Sequence, residues 1–233
     1  MAMSSEAVEQ LMERASEELA AMHYLPAEAI CQTALSSARQ AGDWDLYARI
    51  LLPLQECRRQ RRMIAAEGVA RIGSNLLSGD LLDAWGGRQA GCLLVTLPHT
   101  PAEALRLHEH ARQKQWHVEV LYAPQLVDAG SPRTITLHSF AGPSVTATTA
   151  APPETWRERW LDPRTPRVAG KLPGDWFIDA GEALGDAALK QVQAPPGSAE
   201  RVDQLEQRLA TAPDHELLHQ HLLAAARALA LRH

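Results

Sequence analysis

Apolar residues recur at helical spacing towards both ends of the chain and at strand spacing in its middle, and that change of period predicts the architecture. Residues 4–39 read as helix with a break at Met22–Pro26. Leu11, Ala15, Leu19 and Met22 form one stripe behind a Ser4/Ser5 cap, and Pro26 opens a second helix through Ala27, Ile30, Cys31, Ala34, Leu35 and Ala38. Gly42 closes that helix and Asp43 caps the next, whose apolar face is Tyr47, Ile50, Leu51, Leu54 and Cys57. Pro53 lies inside it and is expected to kink it. A third helix is expected from Met63 through Leu82.

Past Gly86-Gly87 the period shortens. GCLLVTL (91–97) is a continuous apolar run of strand length. Thr100-Pro101-Ala102-Glu103 is a capping box with proline at the first helical position, and HVEVLYA (117–123) is a second strand. Such a strand–helix–strand unit favours a parallel crossover. RTITLHSF (133–140) and SVTATTA (144–150) flank Ala141-Gly142-Pro143 as a hairpin. Residues 151–175 are proline-rich and read as an irregular connection pinned by Trp156 and Trp160. Helix then returns, Ser198 caps a further helix through Leu209, and a last one runs from Asp214 to Leu231. The predicted class is mixed α/β, divided into a helical, repeat-like region (1–85), a small α/β domain with a mixed sheet of about four strands (86–180), and C-terminal helices (181–233).

Composition narrows the function classes. With 45% hydrophobic residues over 233 positions the chain has enough apolar surface for a real core. A net charge of −5 and a pI near 6.1 argue against nucleic acid and anionic membranes as partners. No run approaches the roughly 18 apolar residues of a membrane span, and MAMSSEAVEQLMERASEELA lacks the basic start and apolar stretch of a signal peptide. Cys31, Cys57 and Cys92 are far apart and never in a CxxC pair, which predicts reduced, buried thiols in a cytoplasmic protein.

One segment goes further. Tyr24 before the helix, the small Ala27 and Ala34-Leu35, the Gly42-Asp43 turn, then Tyr47-Ala48 and Leu51–Leu54 follow a helix–turn–helix pattern. Leu209-Ala210-Thr211-Ala212-Pro213-Asp214 adds a helix-end proline junction. Residues 24–62 resemble a tetratricopeptide repeat. The resemblance implies stacked helical hairpins that bind a protein or peptide, hence a non-catalytic interaction or scaffold module. It spans little more than one repeat of about 34 residues, and about three make a stable stack. The segment is therefore expected to lean on the α/β part or on another chain, and a homo-oligomer stays open.

Two clusters carry candidate chemistry. Arg58, Arg59, Arg61 and Arg62 are the candidate partner-binding residues, aimed at an acidic tail. Their other reading is favourable charge at a helix C-terminus. His215-Glu216-Leu217-Leu218-His219 is an HExxH, which supports an alternative: a zinc-dependent hydrolase with His215 and His219 as ligands and Glu216 as general base. No Asp or Glu follows Glu216, and His221 is rotated about 200° from His219. A third ligand has to come from elsewhere, and the preferred reading is two helix histidines beside Leu218, Leu222 and Leu229, with no catalytic residue, metal or cofactor. The loop Leu97–Thr100 sits where helix N–H groups can hold an anion, though the capping box already uses them. His99, His117 and His138 make a metal site only if the fold gathers them.

Overall fold

Turn residues punctuate the chain where the sequence places them, and the elements follow in order. A computed structural model describes residues 5–232, so Ser4 of the expected Ser4/Ser5 cap lies outside the described residues. Helix α1 (Ser5–Ala20) is followed by α2 (Tyr24–Ala41), α3 (Trp44–Ala66), β1 (Val69–Ile72), α4 (Leu81–Trp85), β2 (Ala90–Val95) and α5 (Pro101–Gln113). Then come β3 (His117–Tyr122), β4 (Thr134–His138), β5 (Thr146–Ala150), β6 (Arg159–Leu161), α6 (Pro173–Leu189), α7 (Ala199–Thr211) and α8 (Glu216–Ala230). The class is mixed α/β.

The chain divides into two compact units. One comprises residues 1–61, 189–209 and 213–233, and so joins α1, α2, most of α3, α7 and α8; the other comprises residues 62–188 and 210–212. In the helical unit Gly42 takes a left-handed conformation (φ 69°) whose N–H caps the carbonyls of Ala38 and Arg39, and the Asp43 carboxylate accepts from the Leu46 N–H at 3.0 Å. Helix α3 runs unbroken through Pro53. The lost bond costs about 3 kcal/mol, and the long buried stripe Tyr47, Ile50, Leu51, Leu54 and Cys57 offsets it. The C-terminal helices therefore supply what a lone helical pair lacks, namely more helix to bury against.

The other unit is built on a four-stranded sheet of order β3-β2-β1-β6. β1, β2 and β3 are parallel, and β6 is antiparallel to β1. A separate antiparallel hairpin, β4–β5, stands beside it. The sheet is mixed and small as expected, but its membership differs. No separate helix spans Met63–Leu82: α3 itself runs on to Ala66, Val-Ala-Arg-Ile then forms β1, an inner strand, and helix resumes only with α4 at Leu81. Four residues containing an arginine give too short a run for period to register. The proline-rich segment likewise hides β6, whose Arg-Trp-Leu has no alternation to read. Trp156 is buried as expected, whereas Trp160 is half-exposed beneath Arg88, whose guanidinium lies 3.9 Å from the ring centroid.

An apolar cluster of this unit packs Leu93, Val95, Val118 and Val120 from the sheet against Leu107 and Ala111 of α5 and Leu81 and Trp85 of α4. Helix α5 starts on the expected capping box: the Thr100 hydroxyl accepts from the Glu103 N–H, and the Glu103 carboxylate accepts from the Thr100 N–H at 2.7 Å. The N-terminal half of α6 lies so close to the end of α3 that a Cβ on Gly174 would sit 2.0 Å from the Ala66 carbonyl oxygen. Gly174→Ala is therefore expected to destabilise this unit by about 1–3 kcal/mol, since backbone has to move. Urea unfolding followed by tryptophan fluorescence measures it, and a loss under about 0.5 kcal/mol would contradict the close approach.

Candidate functional site

The buried stripe of α3 does not end at Cys57. Counting on by three and four, it continues through Arg58 and Arg61 to Ala65, so two of the four arginines point inward while Arg59 falls on the opposite face. On α2 the stripe Ala27, Cys31, Ala34 and Ala38 likewise includes a charge, Glu28, which is fully buried. The two stripes meet as an ion network. Arg58 Nε donates to Glu28 Oε1 at 3.0 Å, and Arg61 Nε lies 3.8 Å from Glu28 Oε2. Arg61 Nη2 in turn donates to Asp214 Oδ1 at 2.5 Å, from the turn that precedes α8. Two guanidinium groups and two carboxylates balance to zero, the condition under which buried charge is tolerated.

The histidines of the HExxH close this network. His215 is the N-cap of α8, its Nδ1 accepting from the Leu218 N–H at 3.2 Å. His219 is buried, and its Nε2 lies 2.9 Å from the Pro213 carbonyl oxygen. A carbonyl only accepts, so the proton sits on Nε2. Arg58 Nη1, which donates to the same carbonyl at 3.1 Å and lies 3.3 Å from Nε2, then gives the ring its charge but no hydrogen bond. Burial first, and the Arg58 charge second, pull the His219 pKa down to about 4, so the ring is neutral at physiological pH. Glu216 is exposed and accepts from the Gln220 side chain at 2.8 Å.

This geometry fits the zinc alternative poorly. The Nε2 atom that would bind metal is used on Pro213, a guanidinium stands beside it, and Glu216 faces solvent. Among the described residues no group of three His, Cys, Asp or Glu is placed to hold a metal ion. The four arginines of the candidate partner-binding cluster do not share one environment. Arg58 and Arg61 are structural charges of the helical unit. Arg62 belongs to the sheet unit, where it pairs with Glu182 and donates to the Ile178 carbonyl. Arg59 alone of the four is exposed, clamped by the Glu56 carboxylate at 2.8 and 2.9 Å and close enough to Glu216 to feel its charge.

Sequence reasoning missed Glu28 and Asp214; for Glu28 the signal was available, since a charged residue on the apolar stripe of a helix announces a partner, whereas Asp214 lies in a turn with no stripe to read. It also read Cys31 and Cys57 as unrelated thiols. They hydrogen-bond each other within reach of the Glu28 charge, and this bond together with burial pushes the Cys57 thiol well up. Burial does the same to Cys92, whose thiol donates to the Ala65 carbonyl.

Elsewhere the other sequence candidates resolve into local roles. The anion-site loop holds its own carboxylate, Glu103, whose acidity is raised by the Thr100 N–H and hydroxyl and by neighbouring His99. His138 lines a cleft of about 240 Å³ with Pro124, Gln125, Asp128, Ala129 and Thr136, and neither His99 nor His117 lines it. The C-terminal end of β1, where open α/β sheets bind ligands, is filled by an internal ion pair, Arg71 to Glu158 at 2.9 Å. Compared with protein-family models, with curated proteins and with solved structures, the chain matches none. No helix among the described residues is long and apolar enough to cross a membrane.

Proposed function

We propose that this protein is a non-catalytic interaction or scaffold module, with its helical unit as the platform for a protein or peptide partner, as the resemblance of residues 24–62 to a tetratricopeptide repeat implies. The observation that supports this reading most is the direction of the unit's charges. Glu28, Arg58, Arg61, Asp214 and His219 hold helices to one another, leaving none of the five free to act on a substrate. What α3 turns outward is a different set: Asp45, Arg49, Leu52, Glu56 and Arg59 recur every three or four residues on the exposed face. Tyr47, Leu51 and Leu54, the apolar positions of the repeat-like pattern, are buried and belong to the stack. The contact face therefore centres on Leu52, half-exposed, and Arg59, with Glu216 of α8 beside it. An apolar anchor flanked by both charge signs suits an amphipathic partner segment.

Crosslinking in cells with the full-length chain, compared with Leu52→Asp/Arg59→Glu, tests it. A partner captured by the wild-type chain and lost at least about tenfold by the double variant is expected, the equivalent of about 1.4 kcal/mol. Leu76→Asp, at an exposed position of the other unit, serves as the control and retains capture. Capture unaffected by the α3 changes would overturn the reading, as would stoichiometric zinc in the purified chain that His219→Ala abolishes.

A further inference from the structure

Hydrogen-bond parity along the β4–β5 hairpin identifies an open edge. In an antiparallel pair, alternate residues direct both backbone groups at the partner strand and the others direct theirs away. The Ser139 N–H donates to the Val145 carbonyl at 2.9 Å and the Ala151 N–H to the Arg133 carbonyl at 2.9 Å, so odd-numbered residues bond across the hairpin. Even-numbered residues of both strands therefore point their N–H and C=O outward.

On β4 that outer edge is taken up at Thr134 and at the Thr136 N–H. The Asp128 N–H donates to the Thr134 carbonyl, and the Asp128 carboxylate accepts from the Thr136 N–H, both at 2.9 Å. On β5 it is not. Thr146 and Thr148 have no backbone partner among the described residues, and of Ala150 only the carbonyl is engaged, by Trp176 Nε1 at 2.9 Å. All three residues are exposed.

Natural edge strands carry charge, proline or a bulge to prevent pairing with another chain. β6 contains Arg159 and runs into Asp162-Pro163, and β3 contains His117 and Glu119. Residues 144–151, Ser-Val-Thr-Ala-Thr-Thr-Ala-Ala, have no charge, no proline and no glycine, while Pro143 and Pro152 stand at the two ends. The undefended window is thus one short strand long.

We propose that β5 is a dimerisation edge, pairing antiparallel with β5 of a second copy about a two-fold axis at Thr148. In that register Thr148 exchanges two hydrogen bonds with its own symmetry mate, and Thr146 exchanges two with Ala150 of the other copy. The Ala150 oxygen has a second lone pair to accept one of them. Identical edges suit each other because neither brings a charge, and threonines meet threonine and alanine across the ladder. Asp128 occupies the hairpin's other edge at Thr134 and Thr136, which opposes pairing there, so the assembly closes at two copies with a four-stranded β4-β5-β5-β4 sheet and does not grow into a fibre. The inference uses none of the helical face and stands apart from the partner reading.

Sedimentation velocity of the full-length chain over a wide concentration range tests it, alongside Thr148→Pro and Thr148→Lys. The Thr148 N–H points away from β4, so proline there spares the hairpin ladder, and lysine places charge on the open edge. The wild-type chain is expected to form a concentration-dependent dimer, and each variant to weaken it at least about tenfold through lost hydrogen bonds or like-charge opposition. Amide exchange gives an independent measure: Thr146 and Thr148 should be protected at dimer concentrations and fast when dilute. Should the proline variant misfold by circular dichroism, the lysine variant decides. A chain monomeric throughout, a dimer that the folded variants retain, or Thr146 and Thr148 amides equally fast at all concentrations would overturn the proposal.

Discussion

Glu28→Ala is expected to lower the unfolding free energy by about 3–5 kcal/mol, the cost of removing one partner from a buried ion network. Glu28 is fully buried and serves both Arg58 and Arg61. Asp214 still answers Arg61 after the change, so Arg58 bears most of the loss, keeping only the Pro213 carbonyl as an acceptor. An exposed pair on the same helix gives the scale. Glu56→Ala breaks the bidentate bond to Arg59 in solvent and should cost no more than about 1 kcal/mol. Glu28→Met combined with Arg58→Met should recover much of the deficit, because neither charge is then left unpaired in the interior. Urea unfolding at neutral pH compares the variants directly. A Glu28→Ala loss no larger than that of Glu56→Ala would mean that the network does not hold the helices.

That network also shows where sequence reading succeeded and stopped. Helix boundaries set by Gly42, Asp43, Thr100 and Ser198 were legible because each residue acts through a bond to its own neighbours, such as the Ser198 hydroxyl accepting from the Arg201 N–H. The parallel crossover and the hairpin were legible for the same local reason. β1 and β6 were not: a four-residue and a three-residue strand owe their existence to the strands beside them. In the arginine run, density of charge hides direction. On a helix, Arg58 and Arg61 share the face of Leu54, and Arg59 does not. HExxH likewise fixes spacing but not environment, which is why it carried only the alternative reading. His215 turned out to begin the helix and not to ride on it, and only the tertiary fold could set Arg58 against His219.

His219 makes stability depend on pH in a predictable direction. Its pKa is about 4 in the folded chain against 6.5 for the free side chain. Between those values the unfolded chain binds the proton and the folded chain does not, so folded-state stability increases as pH rises through that window. Its contribution is fully present above about pH 6.5 and is lost progressively as pH falls towards 4, to a total of about 3 kcal/mol. Burial is the largest cause of the shift, and the groups facing the ring set the rest. Arg58 repels a second positive charge, Asp214 and Glu28 favour one but are already paired with arginines, and Pro213 is satisfied by the neutral ring. A proton on Nδ1 would add one uncompensated charge to a network that is otherwise neutral. His219→Gln keeps an N–H for Pro213 and does not titrate, so its unfolding free energy should change less between pH 6.5 and pH 4.5 than that of the wild-type chain. Surface carboxylates contribute to both proteins equally and cancel in the difference. Parallel pH profiles for the two chains would show that His219 titrates normally and is not buried against Arg58.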